Sequence, residues 1–457
     1  MKNPVHQRVL KNLFSSSVAQ GISIVIQLTL IPLYLKFWGQ EVLGQWYLLQ
    51  SVANWLFISD LGLFGAHATE LTLLVSEKRF AEARPLLRSV STLTFISSFF
   101  LLTCLVTLSS LGGFWEKLGI SPSANHLSLI TFLMCLHHFL MQRTGLLYDI
   151  FRAHGQMSRG THWNTFMRFS EFTLSGVIVI LGGQMTQVTF GLVIVRAVGY
   201  FAMFRNVRES YSELGFKFFP SLSQAVDLKA VRRLARPSFS FLLFPLADRI
   251  KFDGTSLVLG SLFGPPVVSA FNSVRTLANA VYQASALFRT SVLPEFSIAF
   301  ASKKYDEARV AFLQCLLISF FINAFASLFL LTYGATIYEF WTHKLIHFDP
   351  VLLQIFLLSI VLHGVWSNGA LPALSVNRHY QISIALVTSS ALALLFSSAL
   401  AFAFSYQAFA IGFLLNELIL IPIVFKESLK VLEFKSGDLQ ITLGRLLKAQ
   451  GIKVKKA

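Results

Sequence analysis

Four ionisable side chains fall within six consecutive positions of one apolar stretch: Asp248-Arg249-Ile-Lys251-Phe-Asp253, inside Phe241–Leu262. The stretch is long enough to cross a bilayer. A charge facing lipid there costs roughly 2.5–3.5 kcal/mol on insertion scales, so these groups must face a bundle interior or a wet cavity. At helical spacing Asp248 reaches Lys251 and Arg249 reaches Asp253. Pro245, one turn earlier, removes a backbone hydrogen bond and invites a kink. An Arg guanidinium stays charged when desolvated and grips phosphate through parallel N–H donors, so Arg249, and Arg275 on the next span, suit a pyrophosphate. Lys251 and Arg196 are further bases within apolar spans, and the acids are Asp60, Asp248, Asp253 and Glu417. The substrate-binding candidates are therefore Arg249, Lys251, Arg275, Arg196, Asp248 and Asp253. Asp60 and Glu417 are the candidates to carry a coupling proton or sodium ion. For each of these residues an interhelical ion pair is the competing role.

No enzyme constellation accompanies these charges. The segment from Gly155 to His162 shares only its glycine spacing with a phosphate loop and lacks the required Lys. His-Glu-x-x-His and Gly-x-Ser-x-Gly are absent. Cys104, Cys135 and Cys315 all fall in apolar spans, with neither disulfide nor zinc spacing, and read as small buried hydrophobes. His137 and His138 sit side by side within a span, where packing or a pore wall outweighs metal binding. No catalytic, cofactor or metal site is expected. Uphill work must come from an ion gradient, proton or sodium, or from a partner. Ser16, Gln20, Ser23 and Gln27 form a polar stripe on the first helix, open to a cavity role or to helix packing. Trp46, Tyr47 and Trp55 can stack on sugars or anchor at the interface.

The elements that position these residues are membrane helices. The 457 residues are 54% hydrophobic and 13% charged, with a mean hydropathy of +0.63, whereas an ordinary soluble protein carries about 25% charged residues. About twelve apolar windows of bilayer length can be placed. They lie near Leu13–Trp38, Val42–Leu63, Pro85–Leu111, Leu127–Tyr148, Thr161–Leu181, Val188–Phe204, Ser238–Phe263, Val267–Ser291, Val310–Tyr333, Val351–Leu374, Ile382–Phe404 and Phe409–Phe425. Of the 38 Lys and Arg residues, about 31 fall on the side that holds both termini and about 3 on the other, so the positive-inside rule makes both termini cytoplasmic. The net charge of +16 is thus mainly a topology signal, not a sign of nucleic-acid binding. The basic tail (Lys448, Lys453, Lys455, Lys456) can add attraction to anionic membrane lipid.

An internal repeat orders the spans. Glu77-Lys-Arg-Phe-Ala-Glu-Ala-Arg84 is matched by Ser302-Lys-Lys-Tyr-Asp-Glu-Ala-Arg309, an offset of 303 − 78 = 225. The same offset pairs Trp38-Gly39 with Phe263-Gly264, Ala53-Asn54 with Ala278-Asn279, Glu70 with Glu295, and the His154 to Ser158 stretch with His379 to Ser383. The expected fold is an all-α integral membrane protein of two parallel-repeat six-helix lobes, with a site between lobes that rock. The boundaries are 1–204 for the first lobe, 205–236 for a cytoplasmic linker, 237–430 for the second lobe and 431–457 for a basic tail. The charges do not repeat: Asp248, Arg249, Lys251 and Asp253 fall on Ser23, Ile24, Ile26 and Leu28 of the first copy. Such asymmetry favours a task in the cavity over a purely architectural one.

Several motifs carry a family resemblance. Asn12-Leu-Phe-Ser-Ser-Ser-Val-Ala-Gln-Gly-Ile, Ile31-Pro32-Leu, Gly39-x-Glu-x-x-Gly44-Gln-Trp46-Tyr47 and Ser59-Asp60-Leu-Gly62-Leu63 resemble the Wzx-type flippases of O-antigen and other polysaccharide pathways. These belong to the multidrug/oligosaccharidyl-lipid/polysaccharide exporter superfamily. The resemblance covers essentially the whole chain and implies a V-shaped alternating-access transporter of the bacterial inner membrane. Its implied substrate is an undecaprenyl-pyrophosphate-linked oligosaccharide, moved to the outer leaflet by ion-gradient coupling, with a polysaccharide polymerase and chain-length proteins as partners. The lipid II flippases of that superfamily carry two further helices that this chain lacks. A drug or organic-cation exporter, with Asp248, Asp253 and Asp60 facing the substrate, is a second reading. A membrane polymerase or ligase of the same pathway is a third, opposed by the short outer loops.

Overall fold

The computed structural model describes residues 4–120, 126–217, 226–301, 305–376 and 378–434. Every regular element among them is helical, as apolar segments require where no water is present to satisfy a backbone left open. Helix α1, Pro4–Asn54, is two arms joined at Gly39, whose φ of 80° and ψ of 175° are open essentially to glycine alone. The arms are the first two expected spans. The second arm runs into a 3-10 turn, Trp55–Asp60, and left-handed Leu61 (φ 53°) and Gly62 (φ 69°) then break the expected Val42–Leu63 helix. The chain restarts as α2, Leu63–Ser76, followed by α3, Phe80–Ser110, α4, Leu127–Ala153, α5, Met157–Ile180, and α6, Met185–Ser210.

Helix α7, Leu228–Asp248, passes Pro237 and Pro245 and enters a π-helical turn, Arg249–Gly254, before α8, Thr255–Phe263. The irregularity expected from Pro245 therefore falls on the charged residues themselves. Helices α9, Pro265–Ala301, α10, Tyr305–Trp341, α11, Pro350–Gly369, the short α12, Leu371–Ser375, α13, Tyr380–Phe404, and α14, Gln407–Val431, complete the chain. Apart from the break at 55–62 in the second and the π-turn in the seventh, the expected spans fall on these helices. Among the described residues, seven stretches pass as bilayer-spanning on length and composition alone: 14–60, 80–110, 185–210, 305–341, 350–375, 380–404 and 407–431.

Contacts group the chain into two units, Met1–Asn272 and Ser273–Ala457. Helices α7 and α8, which the repeat assigns to its second copy, lie in the first unit. The segment read as a linker, 205–236, holds the end of α6, a 3-10 turn at Ser212–Leu214 and the start of α7. Its Tyr211, Leu214, Ala230 and Leu234 are buried in the first unit's core with Leu146, Ile150 and Phe151 of α4. Asp227 starts α7 by accepting the N–H groups of Lys229 and Ala230, while its own N–H donates to Ser89 Oγ at 2.9 Å. Residues 218–225, the repeat positions 302–304 and the basic tail from 435 lie outside the described residues.

The repeat is written in backbone geometry. Gly264, 225 positions after Gly39, has φ 78° and ψ 173°, within 2° of Gly39 on both angles. Helix α10 begins 225 positions after α3. The copies differ where the first is broken: residues 40–76 form an arm, a 3-10 turn and α2, but 265–301 form the single helix α9.

Candidate functional site

Around the π-turn, five elements of the first unit contribute to one chain of polar contacts. Arg249 Nη1 lies 2.7 Å from Asp253 Oδ2, the i,i+4 pairing expected from spacing. Asp253 Oδ1 accepts a hydrogen bond from Asn54 Nδ2, the last residue of α1, at 2.8 Å. Asn54 Oδ1 faces His138 Nε2 on α4 at 2.9 Å, and His138 Nδ1 faces the Met134 carbonyl at 2.7 Å. The neighbouring His137 meets Glu171 Oε1 of α5 at 2.9 Å. Glu171 is gripped in turn by Arg196 of α6 through Nε and Nη2, both at 2.7 Å. Phe57, in the 3-10 turn, lies under the Arg249 guanidinium at 5.8 Å and edge-on to the His138 ring at 5.1 Å.

The break after Asn54 is what aims these groups, and polar side chains hold it in place. Gln142 Nε2 on α4 donates to the Leu56 carbonyl at 2.9 Å, and its Oε1 accepts from Ser98 Oγ on α3 at 2.6 Å. Asp60 ends the turn, its Oδ1 accepting the Gly62 N–H at 2.8 Å, a local turn-forming bond typical of Asp.

The other expected site residues are distributed as follows. On the π-turn Lys251 and Asp253 are buried, Arg249 is partly exposed and Asp248, at the end of α7, is exposed. Lys251 Nζ lies 5.6 Å from the Phe252 ring centroid. Arg196 is buried and engaged with Glu171. Arg275 lies on α9 in the second unit and is half-buried. Glu417 of α14 is buried in the second unit, where Trp366 Nε1 donates to it and His363 Nδ1 lies at 3.2 Å, both from α11. Trp46, read as a possible sugar platform, is buried against Trp38 and Tyr34. On the first-helix stripe, Ser23 accepts from Arg168 of α5 at 3.1 Å.

Two features lie outside the sequence reading. Glu171, inside the Thr161–Leu181 span, is missing from its inventory of acids, although it is the partner of Arg196. The second is a further repeat match. His363 sits 225 positions after His138 and Tyr282 sits 225 after Phe57, so the sequence carries the register. In each unit the pair meets edge-on, at 5.1 Å for Phe57–His138 and 4.5 Å for Tyr282–His363. In each, the histidine is linked to a carboxylate: Asp253 through Asn54 in the first, Glu417 directly in the second.

Repeated helices, apolar over bilayer length yet carrying buried charge clusters, mark a multi-pass membrane protein. The chain belongs to the polysaccharide biosynthesis protein family, whose model matches residues 9–300. Its fold is that of the multidrug/oligosaccharidyl-lipid/polysaccharide exporter superfamily. It is similar to the lipid II flippase MurJ in an inward closed conformation (TM-score 0.71, 14% identity, 96% of this chain and 93% of that one). It is also similar to an outward-facing multidrug resistance MATE family transporter (TM-score 0.63, 12% identity, 92% and 95%). A third similar structure is a transporter of this superfamily from Pyrococcus furiosus, described as having a binding pocket of reversed polarity (TM-score 0.64, 14% identity, 93% and 96%). No curated protein sequence matches the chain. The Wzx-type resemblance read from the sequence thus holds in both family and fold.

Proposed function

We propose that this protein is a flippase of the bacterial inner membrane. It carries undecaprenyl-pyrophosphate-linked oligosaccharide units from the cytoplasmic to the outer leaflet for O-antigen or other surface polysaccharide, using an ion gradient. Both termini are cytoplasmic, lobes 1–204 and 237–430 alternate in access, and a polymerase and chain-length proteins receive the product. The family membership and the similarity to a lipid II flippase support a lipid-linked sugar as cargo.

The observation that carries the reading is Arg249. Its side chain keeps 22% of its exposure in mid-span, it spends Nη1 on Asp253, and its buried Nε has no hydrogen-bond partner among the described residues. A buried donor left in that state costs about 1–3 kcal/mol, which a phosphate oxygen offsets on binding. Arg249 supplies the bidentate grip for the anionic head. Asp253, already engaged by Asn54 and Arg249, is poorly placed to bind an organic cation, which weighs against the drug-exporter reading.

The test is a deletion strain probed for lipid-linked oligosaccharide facing the cytoplasm. Accumulation should be relieved by the wild-type gene and not by Arg249→Ala expressed at equal level. Intact surface polysaccharide without accumulation in the deletion strain overturns the reading.

A further inference from the structure

His138 has acceptors at both ring nitrogens. The Met134 carbonyl can only accept, so Nδ1 must carry hydrogen. Nε2 faces Asn54 Oδ1, also an acceptor, so in this amide orientation it carries hydrogen as well and the ring is an imidazolium beside an ionised Asp253. Turning the Asn54 amide over does not remove the requirement. Its nitrogen then donates to a neutral His138 Nε2, but its oxygen faces the Asp253 carboxyl, which must be protonated to donate. Both arrangements contain the same number of protons, one more than a neutral histidine plus a carboxylate. Without that proton, two acceptors are left face to face somewhere between Met134 and Asp253, whichever way the amide points.

We propose that the His138–Asn54–Asp253 chain is a proton-binding site, and that proton binding there couples the transport cycle to a proton gradient. The coupling half of this rests on the transport reading above. The bond that forms is N–H on His138 or O–H on Asp253, and the proton comes from and returns to water. Arg249, paired with Asp253, keeps 22% side-chain exposure beside the chain. The charged and titratable groups around His138 are His137 on its own helix, Glu171 from α5, Arg196 from α6, and Arg249 and Asp253 from the π-turn. The 3-10 turn presents Phe57, with Asp60 at its end. Helix α3 meets α4 through the uncharged Ser98–Gln142 contact and through Ser91, which accepts from Arg143. Helix α2 carries His67, 3.6 Å from Asp149 of α4. The repeat supplies independent support: the second unit places His363, edge-on to Tyr282, against Glu417. A histidine linked to an acid is thus held in both copies, although the acids and their spacing differ.

The test uses two readouts on the full-length protein. The first is 15N spectroscopy of the histidine rings in nanodiscs, with the His138 signal identified by its loss in His138→Gln. A titration of the His138–Asp253 chain should be seen in the wild type. In Asp253→Asn it should vanish, because the new amide donates to Asn54 and leaves His138 a satisfied neutral ring. The second is movement of lipid-linked oligosaccharide in proteoliposomes with and without an imposed pH difference. Stimulation by the gradient should fall by about tenfold or more in His138→Gln. The titration present without any movement of lipid keeps the proton site and sinks the transport reading. A His138 ring that stays neutral with Asp253 ionised in the wild type overturns the site. Gradient stimulation unchanged in both His138→Gln and Asp253→Asn overturns the coupling.

Discussion

Replacing Glu171 by Leu should destabilise the protein far more than replacing its partner. The Arg196–Glu171 pair has two N–O contacts of 2.7 Å between side chains only 3% and 10% exposed, with His137 as a third member. Glu171→Leu strands a guanidinium that cannot shed its proton, with the Met167 sulfur 3.9 Å from its Nη1. Breaking a buried pair in this way costs about 3–5 kcal/mol. Arg196→Met leaves a carboxylate that keeps His137 and can take up a proton, so its cost should be about 1–3 kcal/mol. The double variant Glu171→Leu/Arg196→Met removes both charges and should recover most of the loss. At about 2 °C per kcal/mol for a unit of this size, Glu171→Leu should lower the unfolding midpoint by about 6–10 °C. Tryptophan fluorescence of the detergent-purified protein at one fixed scan rate reads this, since such unfolding is rate-dependent. A Glu171→Leu midpoint equal to wild type, or a double variant no better than that single one, refutes the reasoning.

Two further predictions follow from backbone and cap geometry. Gly39→Ala and Gly264→Ala should each cost about 1–3 kcal/mol, and nearly the same amount, because both positions hold the same glycine-only conformation; unequal midpoints would show that the joints are not equivalent. Asp349 caps α11 through the Leu352 N–H at 2.9 Å and accepts from Tyr406 at 2.7 Å and Gln407 at 2.8 Å. Burial pushes its carboxyl up, but the bonds from Gln407, Leu352 and Tyr406 outweigh burial and hold it below the ordinary value of 3.8. Tyr406, raised to about 12 by burial and by that carboxylate, stays a donor throughout. With the folded value depressed, the cap's contribution is present above the unfolded value and is lost as pH falls through the folded one. Asp349→Asn should therefore lower the midpoint at pH 7 and flatten its fall below about pH 4, read from midpoints across a pH series.

Much of this was legible in the sequence because membrane helices declare themselves by length and apolarity. The expected spans fall on helix, and the repeat predicted from Gly39 and Gly264 reappears as matching dihedral angles. The Arg249–Asp253 pair was readable from i,i+4 spacing and survives the π-turn. The turn itself was not, since nothing in Arg249–Gly254 distinguishes five-residue from four-residue backbone bonding. The break at Asp60-Leu61-Gly62 carries ordinary turn chemistry but is embedded in an apolar run, which hid it. Glu171 escaped, and His138 was read only as a packing or pore-wall residue, for a different reason. Their meaning lies in partners 25 and 84 positions away, on other helices, and a single sequence does not supply that pairing.

The central claim is tested most directly by purified protein in liposomes holding undecaprenyl-pyrophosphate-linked oligosaccharide, with outer-leaflet substrate read by an impermeant glycan-modifying enzyme. Wild type should expose the inner pool to the enzyme over time, and Arg249→Ala, folded to the same midpoint, should not. An inner pool that stays protected in the presence of wild-type protein, with and without an ion gradient, contradicts the account.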